Sequence, residues 1–338
     1  MIKPAGAACN LACEYCYYLA KALLYPHGTF RMTDETLEAV TSAYLQAHPG
    51  PEVVFGWQGG EPLSMSIDFF RHAVELQARY ARPDQRVLNA LQTNATLVTE
   101  KWARLFAEHH FLVGVSLDGP AELHDRYRRR PGGAGTHARV VEGLQILQHH
   151  GVECNALVTV NRANAEHPLA VYDHLLGLGL RHLQFIPIVE RQSSDTRKVT
   201  PWSVRPEPYG QFLCAIFDAW ARAHVGEVFI QIFESALSVW AGGPPTLCVF
   251  APTCGRALAV EHTGDLYACD HFVGFHHCRG AVAPDALAAL VDSPVQRAFG
   301  EAKAALSATC RACRVRHLCH GDCPKHRLRI AEDGAPLS

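Results

Sequence analysis

Three cysteines fall within eight residues near the start of the chain: Cys9, Cys13 and Cys16, in the stretch CNLACEYC. Thiolates are ligands for zinc and for iron–sulfur clusters. Three of them in one short loop leave a four-ligand site short of one protein group. An open position on a metal centre marks catalysis rather than structure. A three-thiolate zinc site usually recruits a histidine, and residues 1–26 contain none. A [4Fe–4S] cube held here would keep one iron without a protein ligand.

The 338 residues contain thirteen cysteines, and eight of them lie beyond residue 247, at 248, 254, 269, 278, 310, 313, 319 and 323. Cys154 and Cys214, the two in between, sit in apolar segments and read as core packing. Cys310-x-x-Cys313 with Cys319 and Cys323 has the pairing of a structural zinc site, and it equally supplies thiolates to an iron–sulfur cluster. Spacing alone favours zinc. Cys248, Cys254 and Cys269 shift the balance, because seven thiols are nearly enough for two four-ligand sites and short by one. An odd cysteine count without an export signal points to a reducing compartment, where metal ligation outranks disulfides.

These residues need elements to position them. Strand-like runs at 53–60, 86–97, 111–119, 153–161 and 182–189 alternate with helical periodicity at 66–81, 136–151 and 167–180. The βα repetition predicts an α/β fold with a parallel sheet. About six units fit before residue 190, too few for an eight-stranded barrel, so a partial, open (β/α)6 barrel is expected. Chemistry in such folds gathers at the carboxyl ends of strands, where QGGEP, QTNAT, SLDGP and VTVN lie. The expected divisions are residues 1–190 for the barrel, 191–246 for a polar linker and two helical stretches, and 247–338 for a loop-rich, cysteine-rich domain. The last includes a hairpin turning at Thr263-Gly264-Asp265.

Net charge is −2 at neutral pH, which argues against bulk binding to nucleic acid or to an anionic membrane. No apolar run reaches the ~18 residues of a membrane span. The opening MIKPAGAACN lacks the features of a signal peptide, so a cytoplasmic location is expected.

Taken together, KPAGAACNLACEYCYYLAK, GWQGGEPL, QTNATL, VSLDGP, LQFIPIVE, CGRALAVEHTGDLYACDHFVG and CRACRVRHLCHGDCPKHR resemble the anaerobic sulfatase-maturating enzymes, from about residue 3 to 334. These are radical S-adenosylmethionine (SAM) proteins with a C-terminal SPASM domain. The resemblance implies three [4Fe–4S] clusters, with SAM chelating the open iron of the first. It implies that a 5′-deoxyadenosyl radical abstracts a Cβ hydrogen from a cysteine or serine of a sulfatase, giving Cα-formylglycine without oxygen. The implied partners are an unfolded or nascent sulfatase and an electron donor such as flavodoxin or ferredoxin, with no nucleic acid and no membrane.

Carried over residue by residue, the resemblance gives Cys9, Cys13 and Cys16 the catalytic cluster. It gives SAM contacts to Tyr15 at the adenine, the Gly60 backbone at the amino group, Ser116 and Arg128 at the ribose and carboxylate, and the Val189 backbone at the adenine. Glycine suits close backbone approach, and an arginine fork suits a carboxylate. Asp270 matches the general base, and Tyr18 and Gln58 match residues near the substrate peptide. Cys248, Cys254, Cys269 and Cys323 match the first auxiliary cluster, and Cys310, Cys313 and Cys319 the second. The family's eighth auxiliary cysteine is missing by Ser338, and a truncated chain is the expected reason. Cys278 stands where the family usually has none and reads as a free thiol. Two rivals remain open. One is a SPASM maturase that crosslinks a ribosomal peptide, and the other is a non-enzymatic zinc protein.

Overall fold

The computed structural model describes residues 1–192, 198–283 and 286–337. Residues 193–197 of the expected linker, and Ser338, where the expected ligand count falls short, lie outside the described residues.

In chain order the strands that frame the molecule are β1 (Glu52–Trp57), β2 (Arg86–Thr93), β3 (Leu112–Ser116), β4 (Cys154–Val160), β5 (His182–Pro187), β6 (Phe229–Ile230), β7 (Ala259–Val260), β8 (Asp265–Tyr267) and β9 (Cys278–Ala281). The main helices are α1 (Asp34–Ala47), α2 (Ile67–Tyr80), α3 (Glu100–Glu108), α4 (Ala121–His124), α5 (His137–His149), α6 (Pro168–Gly177), α7 (Pro206–Ala223) and α8 (Gln231–Trp240). Helix starts follow local chemistry. The Thr33 hydroxyl accepts from the Thr36 N–H at 3.2 Å to open α1, and the Ser66 hydroxyl accepts from the Phe69 N–H at 3.1 Å to open α2. Helix α5 stops just before Gly151, whose φ of +71° is left-handed.

The chain divides into two compact units. The first comprises Met1–Ser116, Arg128–Asn155 and Arg256–Arg297. In it β1 pairs parallel with β2, and β2 with β3. Helices α2 and α3 supply the crossovers that parallel pairing requires. Val53, Phe55 and Trp57 point inward from β1, and Trp57 meets Phe70 with ring centroids 5.4 Å apart. Phe70, Trp102, Phe106 and Phe111 continue this aromatic core. The expected hairpin is present: β7 and β8 pair antiparallel around Gly264, whose φ is +87°. The sequence did not announce β9, which adds to β8.

The second unit comprises Leu117–Tyr127, Ala156–Gly255 and Ala298–Ser338. In it β4 pairs parallel with β5, and β5 with β6. Phe185 packs on Phe212 of α7, and Trp220 on Phe233 of α8.

Two expectations change. Five named strands, not six, precede residue 190, and the sixth is the short Phe229–Ile230. Ahead of the cysteine loop, Ile2 forms isolated parallel bridges to Trp57 and Val260. Cys214 is exposed rather than core, because α7 is amphipathic and buries Phe212, Ile216 and Trp220 instead. Cys154 is half-buried, and burial pushes its thiol up to about 12.

Candidate active site

Strand β1 ends at Trp57 because Gln58-Gly59-Gly60 turns away to meet the N-terminal segment. The Gln58 N–H donates to Ile2 O at 2.9 Å, Gly60 N–H to Gly6 O at 2.7 Å, and Glu61 N–H to Ala8 O at 2.8 Å. This approach is too close for a side chain: a Cβ on Gly60 would stand 1.9 Å from Ala8 O. The same segment continues into the cysteine loop. Cys9, Cys13, Cys16, Tyr18 and Gly60 border one cavity, together with Ala7, Leu11 and Leu19.

Hydrogen bonds from two directions hold Cys9. The Leu11 N–H reaches its Sγ at 3.4 Å and the Asn94 amide at 3.7 Å. Asn94 also donates to Asn10 Oδ1 at 2.9 Å, and Asn10 donates to Thr96 at 2.8 Å. Beneath them Glu61 is fully buried. It accepts from the Leu63 N–H at 3.0 Å, the Thr93 hydroxyl at 2.7 Å and the Asn94 N–H at 2.8 Å. Burial still pushes its carboxyl up to about 7. Burial likewise lifts the Cys9 thiol to about 12, so a metal must displace that proton to bind there.

Other expected residues gather nearby in this unit. The Arg128 guanidinium lies 5.4 Å from the Tyr15 ring centroid, and both residues are buried. Ser116 ends β3 and accepts from Gln92 at 3.0 Å. Val189 belongs to the second unit, half-buried just after β5.

Asp270 follows the β7–β8 hairpin. Its Oδ1 forms an ion pair with Lys3, which is fully buried, and its Oδ2 accepts from the Tyr17 hydroxyl at 2.5 Å. The Lys3 ammonium also donates to Gln58 Oε1 at 3.4 Å and lies 4.6 Å from the Tyr18 ring centroid. Burial opposes ionisation of Asp270, but the Lys3 ammonium, His271 and the Tyr17 hydroxyl outweigh it and hold the carboxyl at about 2. One lysine thus joins Gln58, Tyr18 and Asp270, the three residues expected at the substrate. Sequence reasoning missed Lys3 and Tyr17, although both stand in the stretches IKPAG and CYYLA beside the cysteines. The Tyr18 hydroxyl donates to buried Glu261.

In the second unit Cys248, Cys254 and Cys323 are close enough to act on one another electrostatically, and burial pushes the Cys323 thiol up to about 11. Cys310 lies in the short helical turn Ala308–Ala312, Cys313 follows directly after it, and Cys319 ends the turn Arg316–Cys319. Cys269 precedes Asp270 in the first unit. Exposed Cys278 lies on β9. Among the described residues no three Cys, His, Asp or Glu side chains converge as on a single metal ion.

The first loop's donor set suits an iron–sulfur cluster. It offers three thiols around one cavity, with N–H groups directed at a sulfur. Arg128 and Tyr15 set a guanidinium and an aromatic face side by side.

Comparison with known proteins agrees. The radical SAM superfamily profile matches residues 4–175. The chain is 43% identical over 351 residues to a serine-type anaerobic sulfatase-maturating enzyme of Bacteroides thetaiotaomicron, covering 99% of this chain and 84% of the relative. It is 31% identical over 331 residues to a cysteine-type anaerobic sulfatase-maturating enzyme of Clostridium novyi, covering 97% and 88%. A solved structure described as native anSMEcpe with bound AdoMet and Kp18Cys peptide is similar with a TM-score of 0.89 and 30% identity, covering 99% of this chain and 91% of that one.

Proposed function

Since this chain belongs to the radical SAM superfamily and, within it, to the anaerobic sulfatase-maturating enzymes, we propose which of its residues carry the reaction. The enzyme oxidises a cysteine or serine side chain of a sulfatase to Cα-formylglycine. The oxidation removes a hydrogen atom from Cβ, a proton from the thiol or hydroxyl, and one electron; serine then gives the aldehyde directly, whereas cysteine gives a thioaldehyde that water hydrolyses with release of sulfide. When bound, SAM and the iron–sulfur clusters supply the hydrogen-atom acceptor and the electron acceptors.

Cys9, Cys13 and Cys16 hold the cluster that cleaves SAM. The Gly60 backbone, Tyr15, Arg128, Ser116 and Val189 hold SAM itself. Cys248, Cys254, Cys269 and Cys323 hold one auxiliary cluster, and Cys310, Cys313 and Cys319 hold the other. Asp270 takes the proton from the substrate, and Gln58 and Tyr18 border the peptide. The observation that carries this reading is the Lys3–Asp270–Tyr17 group, which keeps Asp270 ionised at neutral pH. A base must be unprotonated and within hydrogen-bond reach of its target. The low pKa makes Asp270 a weak base, suited to a substrate proton already made acidic by loss of the Cβ hydrogen.

The substrate is a peptide segment of a sulfatase, taken unfolded or nascent, and a flavodoxin or ferredoxin supplies electrons. The chain works in the cytoplasm. No helix among the described residues is long and apolar enough to cross a membrane.

Anaerobic incubation with reductant, SAM and peptides carrying either target residue tests this. Formylglycine together with 5′-deoxyadenosine is expected. Cleavage of SAM without peptide oxidation would move the substrate elsewhere, as in a crosslinking maturase. An Asp270→Ala enzyme that oxidises peptide at the normal rate would remove Asp270 as the base. Zinc without iron in anaerobically purified protein would overturn the cluster assignments.

A further inference from the structure

Lys303, in the second unit, is buried to 1% exposure, and its ammonium donates to three backbone carbonyls: Cys248 O at 2.7 Å, Val249 O at 3.0 Å, and Ala251 O. Three carbonyl acceptors match the three N–H donors of an ammonium, although burial lowers the group's pKa. Among the described residues no carboxylate forms an ion pair with it. Arg327 lies beside it, 7% exposed. It donates to Gly321 O at 3.0 Å, Ala305 O at 3.1 Å and Lys303 O at 2.6 Å, again carbonyls only.

Two buried cations without carboxylate partners are costly, because carbonyl dipoles replace only part of the lost hydration. The anionic groups acting on Lys303 are Cys248, Cys254, Asp322 and Cys323, and both cations act on Cys254. Asp322 is already engaged by His326 at 2.9 Å. As thiols, the three cysteines carry no charge to balance the cations. As thiolate ligands of an iron–sulfur cluster they carry a net negative charge that grows on reduction. Nearby fixed charge is one of the levers that set a cluster's potential.

We propose that Lys303, backed by Arg327, is the built-in counter-charge of the auxiliary cluster assigned to Cys248, Cys254, Cys269 and Cys323, and raises its reduction potential so that it accepts the electron leaving the substrate. This rests on the cluster assignment above. Lys303 is a positioning and electrostatic residue here, not one that touches substrate.

The test is EPR-monitored redox titration of the reconstituted holoenzyme, reading the [4Fe–4S] signal that does not respond to SAM, with iron counted per chain. Lys303→Met removes charge and donors, and Lys303→Gln removes the charge but keeps donors for the carbonyls. Both are expected to keep their iron and to lower the one-electron reduction equilibrium at least tenfold, a shift of about 59 mV. An iron-loaded neutral variant with an unchanged potential overturns the proposal. If both neutral variants lose this cluster, Lys303→Arg decides. Retention by Lys303→Arg supports a charge role, and loss from it as well assigns Lys303 to loop support only and overturns the proposal. A wild-type protein with no SAM-insensitive cluster signal instead overturns the assignment itself, and is distinguished because the defect precedes any substitution.

Discussion

Lys3 and Asp270, 267 positions apart in a chain of 338 residues, meet as an ion pair whose lysine is fully buried. The lysine comes from the segment that runs into the cysteine loop, and the aspartate from the end of the β7–β8 hairpin. Replacing Lys3 by methionine leaves Asp270 with only Tyr17 and His271 to orient it and keep it ionised. Formylglycine production should fall about 100-fold, the low end of what general acid–base catalysis supplies. Cleavage of SAM should continue, so the ratio of 5′-deoxyadenosine to oxidised peptide rises. Chromatographic counting of both products checks this. A ratio unchanged from wild type, with both rates reduced alike, would assign Lys3 to folding alone.

Gly60→Ala places a methyl group 1.9 Å from Ala8 O, against backbone that cannot step aside. The segment from Gly6 to Cys9 must move. The expected result is loss of one cluster's iron, that of Cys9, Cys13 and Cys16, with the auxiliary clusters retained. Iron analysis beside wild type reads this directly.

Asn94→Ala removes the side-chain N–H that points at Cys9 Sγ and the bond that steadies Asn10. Hydrogen bonds to a charged acceptor contribute about 1.5–3 kcal/mol, and those to cluster sulfurs favour the reduced, more negative state. The SAM-responsive EPR signal should titrate at a lower potential in this variant.

Glu61 gives a pH signature. Its folded pKa of about 7 lies above the ordinary carboxylate value, so its protonated form is the one the fold favours. Its contribution is complete below about pH 4.5 and is lost as pH rises through 7. At about 1.4 kcal/mol per pH unit, the loss reaches up to about 3 kcal/mol. Glu61→Gln cannot titrate. Wild-type Tm should therefore fall relative to the Gln variant between pH 5 and 7.5. Parallel Tm profiles would show that Glu61 is already ionised at the lower pH.

Much of the site was legible because its chemistry needs rare residues at fixed spacing. Cys9, Cys13, Cys16 and Gly60 border one cavity as their motifs suggested, and the hairpin turn falls at Gly264. Strand ends were less legible. The run 53–60 reads as one strand, yet β1 stops at Trp57 because Gly59, at φ +137°, turns the backbone toward the N-terminal segment. Cys214 was misjudged because an apolar stretch does not say which helix face turns inward. Lys3, Tyr17 and Lys303 escaped notice for a different reason. A lysine or tyrosine is usually a surface or packing residue, and only long-range contacts place Lys3 and Tyr17 against Asp270 and Lys303 against the Cys248 carbonyl.

The parallel bridge at Ile2 links Trp57 on one side to Val260 on the other. The residues that follow it carry first the anchor of the proposed base and then the first cysteine of the catalytic loop. Both ends of the proposed chemistry are therefore referenced to one stretch of backbone seven residues long, from Lys3 to Cys9. A shift of that stretch along its neighbours moves Lys3 and Cys9 together and preserves their separation, while Asp270, carried by the hairpin, stays behind. Register error there breaks the Lys3–Asp270 pair and displaces the first cysteine in one step, so the two halves of the chemistry fail together.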